Sequence, residues 1–127
     1  MMTRIFLLIT ALMFFAFGFW SITDPAGMTS RLGVDVSGAS GLFEMRGIYG
    51  GVSLGAAILC LLGAIRANLS FATLCFVATY MGGYIIGRAA SFIAGDSAQS
   101  SNWLFAGYEL FMGLIAIILL FRNKSET

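Results

Sequence analysis

The segment 44–65, EMRGIYGGVSLGAAILCLLGAI, places a glutamate, an arginine, a tyrosine and three glycines at the start of a long apolar run. From about Leu42 to Ile65 the run is long enough to cross a bilayer as a helix, which takes about twenty predominantly apolar residues. Charged side chains inside such a helix are costly unless they pair. The segment therefore predicts a membrane span that carries a polar site near one end.

The composition of the whole chain agrees with a protein that faces lipid. Of its 127 residues, 59% are hydrophobic and 10% are charged, whereas a soluble domain carries about 25% charged residues. The length suits one domain. We therefore predict a single membrane domain over residues 1–127.

Three further apolar runs, at about residues 5–22, 69–93 and 103–121, each predict a span. The first could instead be a signal peptide with Arg4 as its basic flank, but it exceeds the usual apolar core of about 7–15 residues. Trp20 also stands where an interfacial anchor belongs, which favours a retained helix. Because short loops join antiparallel neighbours, the predicted fold is an all-α membrane protein, an antiparallel four-helix transmembrane bundle.

The only long connection follows the first span. Asp24 before Pro25 is typical of a helix N-cap followed by proline at the first helical position, and Gly33 suits a helix stop. We predict a short interfacial helix over 25–32 and irregular structure over 34–41.

The loop charges predict the orientation. Arg4, Arg66, Arg122 and Lys124 lie on the side of the N-terminus, and only Arg31 lies outside the spans on the other side. By the positive-inside rule, both termini face the cytoplasm of a multi-pass protein in the bacterial inner (cytoplasmic) membrane.

Four charged residues are predicted to share one membrane depth. Arg88 lies about six residues before the end of the third span, and Glu109 lies six residues after Trp103. At about 1.5 Å per residue, both are roughly 9 Å below the outer boundary. Glu44 and Arg46 are slightly shallower. Because unpaired charges in lipid are costly, we expect the four to face inward and pair.

Two interpretations of this layer stay open. It is either an ionic cluster that fixes how the helices register, or a binding or proton-linked site that opens outward. The residues expected near such a site are Tyr49, Tyr84, Ser91 and Tyr108. Catalysis by Glu44 and Glu109 is the weakest interpretation, because adjacent arginines would keep both carboxylates paired. We predict no catalytic residue.

Glycines recur at every fourth position in two spans, at Gly47, Gly51 and Gly55 and again at Gly83 and Gly87. Small residues with this spacing let membrane helices approach closely. We interpret these stripes as a glycine zipper between the second and third spans, with dimerisation through one stripe as the alternative.

The sequence lacks the residues that several kinds of catalytic, redox and metal site require. Without histidine the chain has no histidine base, no histidine-ligated haem and few routes to a zinc site. Cys60 and Cys75 lie inside apolar runs and form no CxxC motif. We therefore predict no metal and no cofactor. A net charge of +1 without a polybasic run argues against nucleic acid and leaves membrane lipid as the predicted partner.

The charged and glycine-rich motifs also resemble a known family. The motifs, in chain order, are Asp24-Pro25, Arg46-Gly47-x-Tyr49-Gly50-Gly51, Gly87-Arg88-x-x-Ser91, Gly95-Asp96 and Glu109. The chain resembles, over nearly its whole length, the small bacterial four-span membrane proteins known as a domain of unknown function of the DUF4345 type, which are DoxX-like in appearance. The resemblance implies the fold and a role for the charged layer, and it supplies no activity.

The predicted function is non-catalytic: an accessory or scaffold subunit, or a small lipid- or hydrophobe-binding protein, acting alone, as a homodimer or in a larger membrane complex. The alternative is a small proton- or cation-coupled transporter or channel that uses Glu109.

Overall fold

The computed structural model describes residues 1–36 and 38–124, which are almost entirely helical and contain no strand. The elements are α1 (Met2–Thr23), α2 (Pro25–Arg31), α3 (Gly38–Met45), a π-helical segment (Arg46–Gly51), α4 (Val52–Ile65), α5 (Ala67–Ala94) and α6 (Ser100–Lys124). Four helical stretches are long and apolar enough to cross a membrane: Met2–Thr23, Gly38–Ile65, Ala67–Ala94 and Ser100–Arg122. The predicted all-α fold with four spans is confirmed, and the chain is a multi-pass membrane protein.

The second span is longer than predicted. Residues 34–41 were expected to be irregular, but α3 begins at Gly38 and continues through the π-helical segment into α4, so that expectation was wrong for 38–41. The stretch contains no proline that would stop a helix. Extending the helix also pairs backbone groups that lipid would leave unsatisfied.

The chain divides into two compact units, Met1–Arg66 and a second that begins at Ala67. The prediction of one domain over 1–127 stays a prediction, and its residues 37 and 125–127 lie outside the described part of the chain. In the first unit α1 packs along α4 and the π-helical segment. Five of the seven buried residues of α1 recur at alternating intervals of four and three, which is the spacing of one helix face: Leu7, Ala11, Phe14, Gly18 and Ser21. The other two, Phe6 and Thr10, each precede one of these five.

The buried face of α4 consists of small side chains. They are Ser53, Ala56, Ala57, Cys60, Gly63 and Ala64. Small residues allow the backbones of two membrane helices to approach closely, so that dispersion contacts hold them together.

The backbones of α1 and the second span approach closely at Gly18. A Cβ atom there would lie 3.0 Å from the backbone oxygen of Gly50 and 3.0 Å from the backbone nitrogen of Leu54. A Cβ on Gly50 would lie 2.5 Å from Cγ1 of Ile22. Gly18 meets Leu54, whereas Ile22, further along α1, meets Gly50, which lies earlier in the second span. The two helices are therefore antiparallel.

The short helix in the first loop forms as predicted, over Pro25–Arg31. The backbone N–H of Gly27 donates to Oδ1 of Asp24 at 3.0 Å, and Pro25 occupies the first turn, where its missing N–H costs nothing. Gly33 follows with a φ of 75°, a left-handed conformation that suits glycine.

The second unit is a pair of antiparallel helices, α5 and α6. Leu74, Val77 and Met81 are buried on α5. A Cβ on Gly113 of α6 would lie 3.3 Å from the Cβ of Met81. The buried residues of α6 again follow one face: Glu109, Met112, Gly113, Ala116 and Leu119. A single carboxylate therefore stands in an otherwise apolar row.

Candidate functional site

The functional residues with the most defined geometry are Arg88 and Glu109, which form an ion pair in the second unit. Nε of Arg88 donates to Oε2 of Glu109 at 2.5 Å, and an Nη nitrogen donates to Oε1 at 2.7 Å. The Glu109 side chain is 8% exposed and the Arg88 side chain 33% exposed. This two-pronged geometry is the strongest form of a side-chain ion pair.

The two helices bring the pair together through simple geometry. Glu109 begins the buried row of α6, and Arg88 lies seven residues after Met81, two helical turns further along the buried side of α5. Because α5 and α6 are antiparallel and Met81 meets Gly113, Arg88 reaches the level of Glu109. Arg88 and Glu109 do form an ion pair, whereas their depth in the membrane stays a prediction.

Two tyrosines extend this polar site along α5. Tyr80 and Tyr84 precede Arg88 at intervals of four residues, so the three share one side of the helix. The Tyr80 and Tyr84 hydroxyl oxygens are 3.3 Å apart, and the rings meet edge to face with centroids 5.2 Å apart. Tyr84 also lies within electrostatic reach of Arg88 and Glu109. Sequence reasoning had passed over Tyr80, although its spacing from Arg88 is a readable signal.

Ser91 does not join the pair. Its side chain is exposed and makes no hydrogen bond to any residue that the structure describes. Its backbone oxygen accepts from the N–H of Asp96 at 3.1 Å, and Gly95 has a φ of 85°. Ser91 thus belongs to the glycine-terminated end of α5.

The remaining predicted site residues lie in the first unit. Arg46 is exposed, and its Nε donates to the backbone oxygen of Ile22 at 3.1 Å. Tyr49 meets Phe17 edge to face with ring centroids 6.2 Å apart. Glu44 is exposed and forms no ion pair within residues 1–36 and 38–122, the part whose side chains are described. That all four charges form one layer stays a prediction.

The segment that holds Arg46 and Tyr49 is a π-helix, which sequence reasoning did not predict. The backbone N–H of Val52 donates to the oxygen of Gly47, five residues earlier, which adds one residue to the turn. Three of its six residues are glycines, which have no Cβ atom and adopt unusual backbone conformations more readily than other residues. Single π-helical turns inside α-helices often mark functional positions.

The predicted packing glycines lie in more open surroundings than Gly18. An added Cβ would meet no described atom within 4 Å at Gly47, Gly55, Gly83 or Gly87, and at Gly51 only the backbone oxygen of Arg46 at 3.9 Å. Their role between the second and third spans stays a prediction. The signal for Gly50 was the row of small residues that follows it on α4.

Among the described residues there is no metal-binding cluster and no disulfide. None of them form a group of three or more aspartate, glutamate and cysteine side chains suited to a metal, and Cys60 and Cys75 are both free thiols. An open cavity of about 330 Å³ lies in the first loop, beside Thr29, Ser30 and Asp35, and contains none of the predicted site residues. The ion pair with its two tyrosines is therefore the best-supported candidate site.

Comparison with curated proteins and with solved structures finds no significant match. Comparison with family models finds one that matches residues 2–120, nearly the whole chain. The four-span protein with the Arg88–Glu109 pair belongs to the family described as a domain of unknown function, DUF4345.

Proposed function

We propose that this chain is a non-catalytic protein of the bacterial cytoplasmic membrane, an accessory or scaffold subunit or a small lipid-binding protein, in which the Arg88–Glu109 pair fixes α5 against α6. The observation that carries the proposal is that both carboxylate oxygens of Glu109 accept hydrogen bonds from one guanidinium. A carboxylate held in this way is suited to fixing two helices in register.

The same geometry argues against a carrier role for Glu109. A carboxylate that exchanges protons or cations must leave its partner in every cycle, which would expose the arginine charge at a cost of several kcal/mol. Glu109 is also nearly enclosed by protein. A permanent pair explains both features without a moving ion.

Native mass spectrometry after gentle extraction from the source membrane tests the proposal. We expect the chain in a stoichiometric larger complex if it is a subunit, or as a monomer or homodimer that retains lipid if it is a lipid-binding protein. Denaturing analysis of the co-purified material identifies the partner. A monomer or dimer with neither protein nor lipid attached would contradict both forms of the proposal.

A small transporter is the second candidate, because a carboxylate inside a membrane span is itself a reason to suspect ion movement. In vesicles reconstituted with the purified protein, we expect no proton-linked cation uptake above protein-free vesicles. Uptake that is lost in Glu109→Gln and retained in the matched control Glu44→Gln would overturn the proposed subunit or lipid-binding role and favour the transporter.

The proposed orientation places both termini in the cytoplasm, since the basic loop residues favour that side. A fluorescent protein fused after Lys124 should fluoresce, and alkaline phosphatase inserted after Ser97 should be active, because the first requires the cytoplasm and the second the periplasm. The reverse pattern would invert the topology. We propose that the chain is similar to DoxX-like proteins in its four-span architecture and in nothing else.

A further inference from the structure

The side chain of Arg46, in the π-helical segment, contacts the C-terminal end of α1. Its Nε donates to the backbone oxygen of Ile22, the second-last residue of α1. The final carbonyls of a helix have no partner within that helix and carry partial negative charge. The contact therefore fixes one edge of the guanidinium against the end of a membrane span.

The other edge of the Arg46 guanidinium faces outward. Arginine has five N–H donors in a planar fork, and Nε accounts for one of them. The side chain is exposed, and no carboxylate pairs with it among the described side chains. Glu44, two residues earlier, lies on a different side of the helix, because only residues three or four apart are neighbours.

The position of Arg46 along the membrane normal follows from its partner. Ile22 lies where α1 ends and the polar first loop begins, so the guanidinium lies at the boundary of the apolar region. Two half-buried aromatic residues lie close to this boundary: Trp20 is two residues before Ile22, and Tyr49 packs against Phe17 of α1. Such aromatic side chains concentrate at the depth of lipid headgroups.

We propose that the free edge of Arg46 binds the phosphate group of a membrane phospholipid. Two parallel N–H donors match two phosphate oxygens at about 2.7–2.9 Å, a geometry that lysine cannot reproduce. Anchoring Nε on Ile22 holds the fork in place before the lipid arrives, which reduces the entropy lost on binding. The site lies within the first unit and is independent of any role of the Arg88–Glu109 pair.

Lipid titration followed by native mass spectrometry tests the site. The variants are R46Q and the matched control R31Q, which removes an exposed arginine from α2 in the same unit. We expect R46Q to weaken phospholipid retention by about tenfold or more, as for the loss of a hydrogen bond to a charged group. R31Q should change retention by no more than about twofold. Equal retention in R46Q and wild type would overturn the proposal.

A second measurement works even if R46Q fails to fold. In wild-type protein in phospholipid bilayers, solid-state NMR should show dipolar coupling between the assigned Arg46 guanidinium carbon and lipid phosphorus. Absence of that coupling would overturn the proposal. The same experiment in a phosphate-free detergent with added inorganic phosphate separates the sources, because coupling there as well would assign the site to phosphate in general rather than to phospholipid.

Discussion

Replacing Glu109 with glutamine is expected to lower the free energy of unfolding by about 3 kcal/mol, the lower end of the range for breaking a buried ion pair. The lower end applies because the Arg88 side chain is one-third exposed while Glu109 is nearly enclosed. Glutamine keeps the shape of the side chain and removes its charge, so the arginine is left without a counter-charge. Denaturant unfolding in detergent micelles, followed by circular dichroism, measures the change.

A second substitution separates the lost interaction from the orphaned charge. Arg88→Met in the Glu109→Gln background should recover part of the loss, because the uncompensated cation is then removed. Glu44→Gln is the matched control, since Glu44 is exposed and lies outside the pair, and it should change stability by no more than about 0.5 kcal/mol. A Glu109→Gln protein as stable as the control would refute the structural role of the pair.

Replacing Gly18 with alanine is expected to destabilise the first unit by about 1–3 kcal/mol, and leucine by more, because the added atoms overpack a closed contact. The Cβ would press on backbone atoms of Gly50 and Leu54, which cannot rotate away as a side chain does. The same unfolding measurement detects the loss. An unchanged midpoint in Gly18→Ala would mean that α1 and α4 do not meet there.

Gly55→Ala is the matched control and also tests the predicted glycine stripe. Gly55 lies inside α4, is exposed, and a Cβ there meets nothing within 4 Å among the described residues. We expect alanine to stabilise the helix by about 0.5–1 kcal/mol, since glycine loses more backbone entropy on folding. A loss as large as that in Gly18→Ala would instead show that Gly55 packs against another helix, as the stripe predicted.

Apolar run length was enough to predict the four spans, because the thickness of a bilayer sets the length of a spanning helix. The Asp24 cap and the Arg88–Glu109 pair were also predictable. The cap depends on neighbours in the chain, and the pairing depends on counting rise per residue along antiparallel helices. The family resemblance rested on the same motifs and is confirmed over residues 2–120.

Only the tertiary structure revealed Gly18 as a close contact between α1 and the second span. The residues four positions before and after it are Phe14 and Ile22, so no small-residue stripe marks it in the sequence. Its importance arises from Gly50 and Leu54, which lie more than thirty residues away in the chain. Contact between distant residues depends on the rotation of each helix, which local patterns leave undetermined.

The π-helical segment of the second span was likewise seen only in the structure. Its extra residue changes which side chains share a face, so a periodicity that assumes an unbroken α-helix does not carry across residues 46–51. Sequence alone determined the membrane, the four helices and the ion pair, because these follow from transfer energies and helical rise. The tertiary structure decided the contact faces and the capping of α1 by Arg46, because both depend on how backbones meet in space.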